Sequence, residues 1–71
     1  MRNIISLREI NEEIENTKAE IKTLEADIEI IKNYSFSSRA GFNLIIELRE
    51  RIEELQAHID SVEAYKAKHH Q

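Results

Sequence analysis

Two heptad stripes of apolar residues run along this chain, and they are out of phase with each other. The first seam consists of Leu7, Ile10, Ile14, Ile21, Leu24, Ile28 and Ile31. The second seam consists of Ile45, Leu48, Ile52, Leu55, Ile59 and Val62. Apolar residues at alternating steps of three and four are typical of a helix that packs one stripe against a partner helix. The sequence therefore predicts two helices.

The segment between the seams indicates how the helices are joined. If the first heptad continued unchanged, Arg49, Gln56 and Glu63 would fall on the core, so a single straight helix is disfavoured. The segment 34–42 holds three of the four aromatic residues, three of the five serines and the only glycine. We predict an all-α fold: one domain over residues 1–71, an antiparallel helical hairpin of the coiled-coil type. Helix 1 is expected at about 6–33, the bend at about 34–42 and helix 2 at about 43–69.

Capping residues predict a single start for helix 1 but leave two possible starts for helix 2. Ser6 and Glu9 have the spacing of a capping box, in which each side chain bonds the other's backbone amide, so helix 1 should begin near Leu7. Ile5 and Ile10 stand at the two positions of a hydrophobic staple. For helix 2 the sequence leaves two choices open: Ser37 caps a helix that begins at Ser38, or Asn43 caps one that begins at Leu44.

The small size of the chain predicts self-association. Two helices of a 71-residue chain bury little apolar surface, and the chain has no cysteine for a disulfide. We expect two copies to assemble into a dimeric four-helix bundle. The predicted oligomer core is Leu7, Ile10, Ile14, Ile21, Leu24, Ile28, Ile31, Ile45, Leu48, Ile52, Leu55, Ile59 and Val62. Thr17 interrupts the first seam, and a polar residue at such a position usually sets helix register.

Composition disfavours several classes of function. The net charge of −4 argues mildly against non-specific nucleic-acid binding, which needs clustered cations. The longest uncharged run, Ala40–Ile46, is far shorter than the ~20 residues of a membrane span, and the N-terminus lacks a signal-peptide apolar region. We predict a cytoplasmic protein that does not bind membranes.

No catalytic or metal-binding pattern stands out. Glu54 and His58 have i,i+4 spacing, but two ligands do not make a zinc site. Ser35, Ser37 and Ser38 have no histidine nearby in the sequence to act as a base, and Gly41 stands alone rather than in a phosphate-binding loop. We predict that the chain is not an enzyme and that it uses no cofactor and no metal.

The bend carries more apolar residues than one seam can use, and this excess suggests a function. Either these residues form the widest part of an oligomer core, or Tyr34, Phe36, Arg39 and Phe42 form a docking tip, since aromatic and arginine side chains dominate binding hot spots. We predict a non-enzymatic protein–protein interaction module, a small oligomeric adaptor, regulator or inhibitor. Its size would suit a phage or plasmid accessory protein.

Two alternatives belong to other classes. Ser37, Ser38 and Arg39 at the start of helix 2 could hold an anionic ligand such as a nucleotide through free amides, hydroxyls and a guanidinium. A face of the bundle could instead bind RNA or DNA, as in some small plasmid-encoded four-helix proteins. This nucleic-acid alternative is the runner-up and rests on an analogy of fold.

Overall fold

The computed structural model describes residues 6–35 and 38–69 and consists of two α-helices. Helix α1 spans Leu7–Ser35 and helix α2 spans Arg39–His69. The two helices pack against each other along their length as a hairpin, and its largest dimension is 54 Å. The predicted all-α helical hairpin is confirmed.

Serine side chains cap both helices. At the start of α1, the Glu9 amide donates to Ser6 Oγ at 3.2 Å, and the Ser6 amide donates to Glu9 Oε1 at 3.3 Å. The predicted capping box is therefore present, and α1 begins at the predicted residue. Ile5, the other member of the predicted staple, lies outside the described residues.

The start of α2 differs from both predicted choices. Ser38 is its N-cap: the Gly41 amide donates to Ser38 Oγ at 2.9 Å, and the Phe42 amide donates to the Ser38 carbonyl at 3.0 Å. Helix α2 thus begins at Arg39, four residues before the predicted 43, and Asn43 lies inside the helix. The predicted bend of 34–42 was too long, because residues 34 and 35 end α1 and residues 39–42 begin α2.

Three contacts between side chains fix the direction of the helices. Lys66 Nζ bonds Asn11 Oδ1 at 3.0 Å, His58 Nε2 lies 2.7 Å from Glu13 Oε2, and an Arg51 nitrogen lies 3.5 Å from a Glu20 oxygen. As the contacts advance along α1 from residue 11 to residue 20, their partners on α2 go back from residue 66 to residue 51. The helices are antiparallel, and their termini lie together at the end opposite the bend.

The predicted seams form the contact between the helices. Six of their residues are buried in the single chain: Ile10, Ile14, Ile28, Ile45, Leu55 and Ile59. Six more are half-buried: Ile21, Leu24, Ile31, Leu48, Ile52 and Val62. Leu7, at the open end, is exposed. Packing is densest around Ile10, Ile14 and Ile59, with Tyr65 beside them.

Thr17 lies in this contact and is 5% exposed. Its hydroxyl donates to the Glu13 carbonyl, one turn earlier in the same helix, at 2.8 Å. The polar atom is thus satisfied within α1, where such bonds contribute little to helix stability.

Replacing Thr17 with valine should stabilise the hairpin by about 0.5–1 kcal/mol, because the change keeps the shape and removes a buried hydroxyl. A thermal melt followed by circular dichroism should show a midpoint a few degrees higher. A lower midpoint would mean that the hydroxyl has a second role, such as fixing the register of an assembled bundle.

Candidate functional site

Exposed apolar side chains are concentrated at the bend end of the hairpin. Among the described residues, six large hydrophobic side chains are exposed, and five of them lie between positions 30 and 46. These five are Ile30, Tyr34, Phe42, Leu44 and Ile46, which we call the bend-end residues. Their concentration at one end is the most distinctive feature of the surface, because isolated exposed apolar residues are common whereas a group of them is not.

The structure divides the predicted docking tip. Tyr34 is 84% exposed near the end of α1, and Phe42 is 58% exposed in the first turn of α2. Phe36 lies outside the described residues. Helix periodicity places Tyr34 and Phe42 on opposite sides of the hairpin. Tyr34 lies to one side of the seam of α1, and Phe42 lies to the other side of the seam of α2. Tyr34 and Phe42 thus face different sides of the hairpin at its bend end.

Leu44 and Ile46, which both belong to α2, also lie on opposite sides of the hairpin. A groove lined by Asp27, Ile30, Ile31, Leu44 and Leu48 runs along one side of the hairpin near the bend. A second groove, lined by Glu25, Ile28, Glu29, Lys32, Arg49, Ile52 and Glu53, runs along the other side. Phe42 and Ile46 lie on the stripe that continues to Arg49 and Glu53, so they belong to this second, charged side. Sequence reasoning did not separate the two sides, although the heptad positions contained the information.

The predicted anion site is described only in part. The Ser38 hydroxyl oxygen accepts the Gly41 amide as a helix cap, and Arg39 is exposed beside it at the first residue of α2. Ser37 lies outside the described residues. The geometry thus accounts for Ser38 through capping.

His58 takes part in a contact that the sequence did not predict. Its Nε2 lies 2.7 Å from Glu13 Oε2 on the other helix, and both side chains are about half exposed. The sequence paired His58 with Glu54, which instead lies 3.4 Å from Arg51. Contacts between residues 45 positions apart depend on how the helices align, which local spacing does not reveal. Within residues 6–35 and 38–69, no three His, Asp or Glu side chains are grouped as a metal would require.

Comparison with known proteins found no relative of this chain. No known protein family, curated protein or solved structure matches the chain. In the part of the chain that the structure describes, neither helix has an apolar stretch long enough to span a membrane.

Proposed function

We propose that this chain is a non-enzymatic protein–protein interaction module that works in the cytoplasm. It self-associates through a dimeric four-helix bundle and acts as an adaptor, regulator or inhibitor by binding a partner protein at its bend end. The observation that carries the proposal is the concentration of five exposed large apolar side chains at that end.

The thin core supports the self-associating part of the proposal. Among the described residues only six apolar side chains are buried, and no side chain is completely buried. A single core of this size seldom supplies more than about 3–5 kcal/mol of stability without a disulfide, a metal or a second copy. Covering the bend-end residues would add apolar burial of about 25 cal/mol per Å².

Arg39 and Phe42 support the partner-binding part. They lie one helical turn apart at the start of α2, and both are exposed. A cation in the first turn opposes the helix dipole at a cost of roughly 0.3–1 kcal/mol, and α2 has no acidic residue there to offset it. Residues that act against local stability are expected at functional sites. An exposed aromatic ring beside an arginine is also the composition of a binding hot spot.

The test compares capture of proteins by the wild-type chain and by the double variant Arg39→Glu/Phe42→Ala. The Glu at position 39 favours the helix N-terminus, so the variant should keep its helicity. The wild type should capture a protein from a lysate of the source cell, and the purified protein should bind the wild type at least tenfold more tightly than the variant.

The matched control is Leu7→Ala/Arg8→Glu, which makes the same kinds of change at the open end of the hairpin. Leu7 and Arg8 are exposed, as Phe42 and Arg39 are. The control should bind the purified partner as the wild type does. Equal affinity for the wild type and the Arg39→Glu/Phe42→Ala variant, with both helical, would contradict partner binding at the bend end.

A further inference from the structure

The side of the hairpin that carries Ile30 and Leu44 has both a ridge and a groove. The groove is lined by Asp27, Ile30, Ile31, Leu44 and Leu48, and we call it the bend-end groove. Ile30 is 55% exposed and Leu44 is 43% exposed. Tyr34 lies one turn beyond Ile30 on α1, so its exposed ring extends the same ridge. An apolar ridge therefore lies directly beside an apolar groove.

Charged contacts limit how far this apolar surface extends toward the open end. On α2 the stripe that begins with Leu44 and Leu48 continues to Arg51 and His58 at helical spacing. Arg51 lies 3.5 Å from Glu20, and His58 lies 2.7 Å from Glu13. All four side chains are about half exposed. Covering them would remove three charged groups and an imidazole from water, which often costs more than their attraction returns.

The chain exposes more surface than a compact monomer of the same mass. The chain exposes 5709 Å². A folded monomer of 8.4 kDa exposes about 4,600 Å² by the usual scaling of surface with mass. The excess of about 1,100 Å² follows from the elongated 54 × 20 × 15 Å shape, and it leaves room for the roughly 800 Å² that each partner loses in a standard interface.

We propose that a second copy of this chain covers the bend-end groove. A two-fold axis places the Ile30–Tyr34 ridge of each copy in the groove of the other, as helix ridges pack into grooves elsewhere. Only one charged residue, Asp27, lines the groove, so the surface offers little charge to select an acidic or basic partner. A ridge beside a groove on one face is, in contrast, complementary to itself.

The polar contacts determine the arrangement of the two copies. The bend ends overlap, the open ends point away from each other, and the Glu20–Arg51 and Glu13–His58 pairs stay in water. The four-helix bundle is then confined to the bend halves. This inference rests on the proposed self-association and adds the surface and geometry to it. Arg39 and Phe42, near the bend and away from the groove, remain accessible to a partner protein.

The first test uses two matched variants, Leu44→Glu and Ile46→Glu. The two residues are 43% and 41% exposed in the same helix turn but lie on opposite sides of the hairpin. In sedimentation equilibrium, Leu44→Glu should raise the dimer dissociation constant at least about 30-fold, because each copy loses a buried leucine and gains a buried charge. Ile46→Glu should dissociate as the wild type does. The reverse pattern, or equal effects, would overturn the inference.

The second test locates the two-fold axis with single cysteines, because the wild-type chain has none. Asn16, Thr23 and Ile30 lie on one exposed stripe of α1 at seven-residue intervals, about 10 Å apart. A disulfide between equivalent residues needs Cα atoms within about 7 Å, so it forms only near the axis. Under mild oxidation Ile30→Cys or Tyr34→Cys should cross-link, and Asn16→Cys and Thr23→Cys should not.

Every other pattern of cross-linking contradicts the inference, and each pattern indicates a different arrangement of the two copies. Cross-linking that is strongest at Thr23→Cys would indicate full antiparallel overlap, and cross-linking at all positions would indicate parallel copies. A dimer by light scattering with no cross-link would place the interface elsewhere and leave the proposed self-association intact. A monomer at all concentrations would overturn both.

Discussion

Replacing Ile59 with alanine is expected to unfold most of the chain at the concentrations and temperatures at which the wild type is folded. Ile59 is 2% exposed and packs with Ile10 and Ile14 in the most tightly buried part of the helix contact. Removing a buried isoleucine side chain down to alanine costs about 2–5 kcal/mol, which combines lost burial with the cavity left behind.

The loss caused by Ile59→Ala is a large fraction of the free energy of unfolding of the whole chain. A single core of this size seldom supplies more than about 3–5 kcal/mol, so the loss removes most of the free energy of unfolding of the 71-residue chain. Urea unfolding followed by circular dichroism at 222 nm would measure the change. Ile46→Ala is the control, because Ile46 is exposed in the other half of α2 and its truncation should change the free energy of unfolding by less than about 0.5 kcal/mol. Equal effects of the two variants would contradict the assignment of the core.

Replacing Gly41 with leucine is expected to separate the helices at the bend end. Gly41 is buried in the first turn of α2, one turn before Ile45 on the stripe that faces α1. Its φ is not positive, so the backbone here does not require glycine. The remaining reason for glycine is space, because a side chain at 41 would project into the contact between the helices. Overpacking of this kind costs about 1–3 kcal/mol, or more where the helices cannot move apart.

Ala40→Leu is the matched control for Gly41→Leu, because Ala40 is the preceding residue and is exposed. Thermal melts should show a midpoint lower by roughly 5–20 °C for Gly41→Leu and nearly unchanged for Ala40→Leu. Hydrogen exchange should localise the loss, with faster exchange of amides near the bend and little change around Ile14 and Ile59. Comparable midpoints for the two variants would show that position 41 is not a point of close approach.

The helices could be predicted from the sequence because the signals that define them are local. The Ser6–Glu9 capping box forms within a few residues and does not depend on the rest of the fold, so the predicted start of α1 is confirmed. The seams follow from helix periodicity alone, and twelve of the thirteen predicted residues are buried or half-buried between the helices. The predicted start of α2 was wrong because Ser37, Ser38 and Asn43 are all good capping residues, and the sequence did not show that Ser38 takes the cap.

The candidate site was predicted less well because it depends on packing. The excess of apolar residues at the bend was recognised, but their distribution over two sides of the hairpin was not. Tyr34 and Phe42 are eight positions apart, so the sequence analysis grouped them, although helix periodicity places them on opposite sides of the hairpin. The Glu13–His58 contact was missed because local spacing does not show which residues of two different helices face each other.

The sequence by itself determined that this protein is a pair of amphipathic helices and which stripe each helix buries. Heptad spacing fixes these properties, because every residue of an α-helix is rotated by the same angle from the one before it. Only the tertiary structure decided that Gly41 is buried and that the Glu20–Arg51 and Glu13–His58 contacts lie on the surface between the bend and the open end. Those properties depend on the alignment of one helix with the other, which is set by the sum of many side-chain contacts across the pair and not by any segment alone.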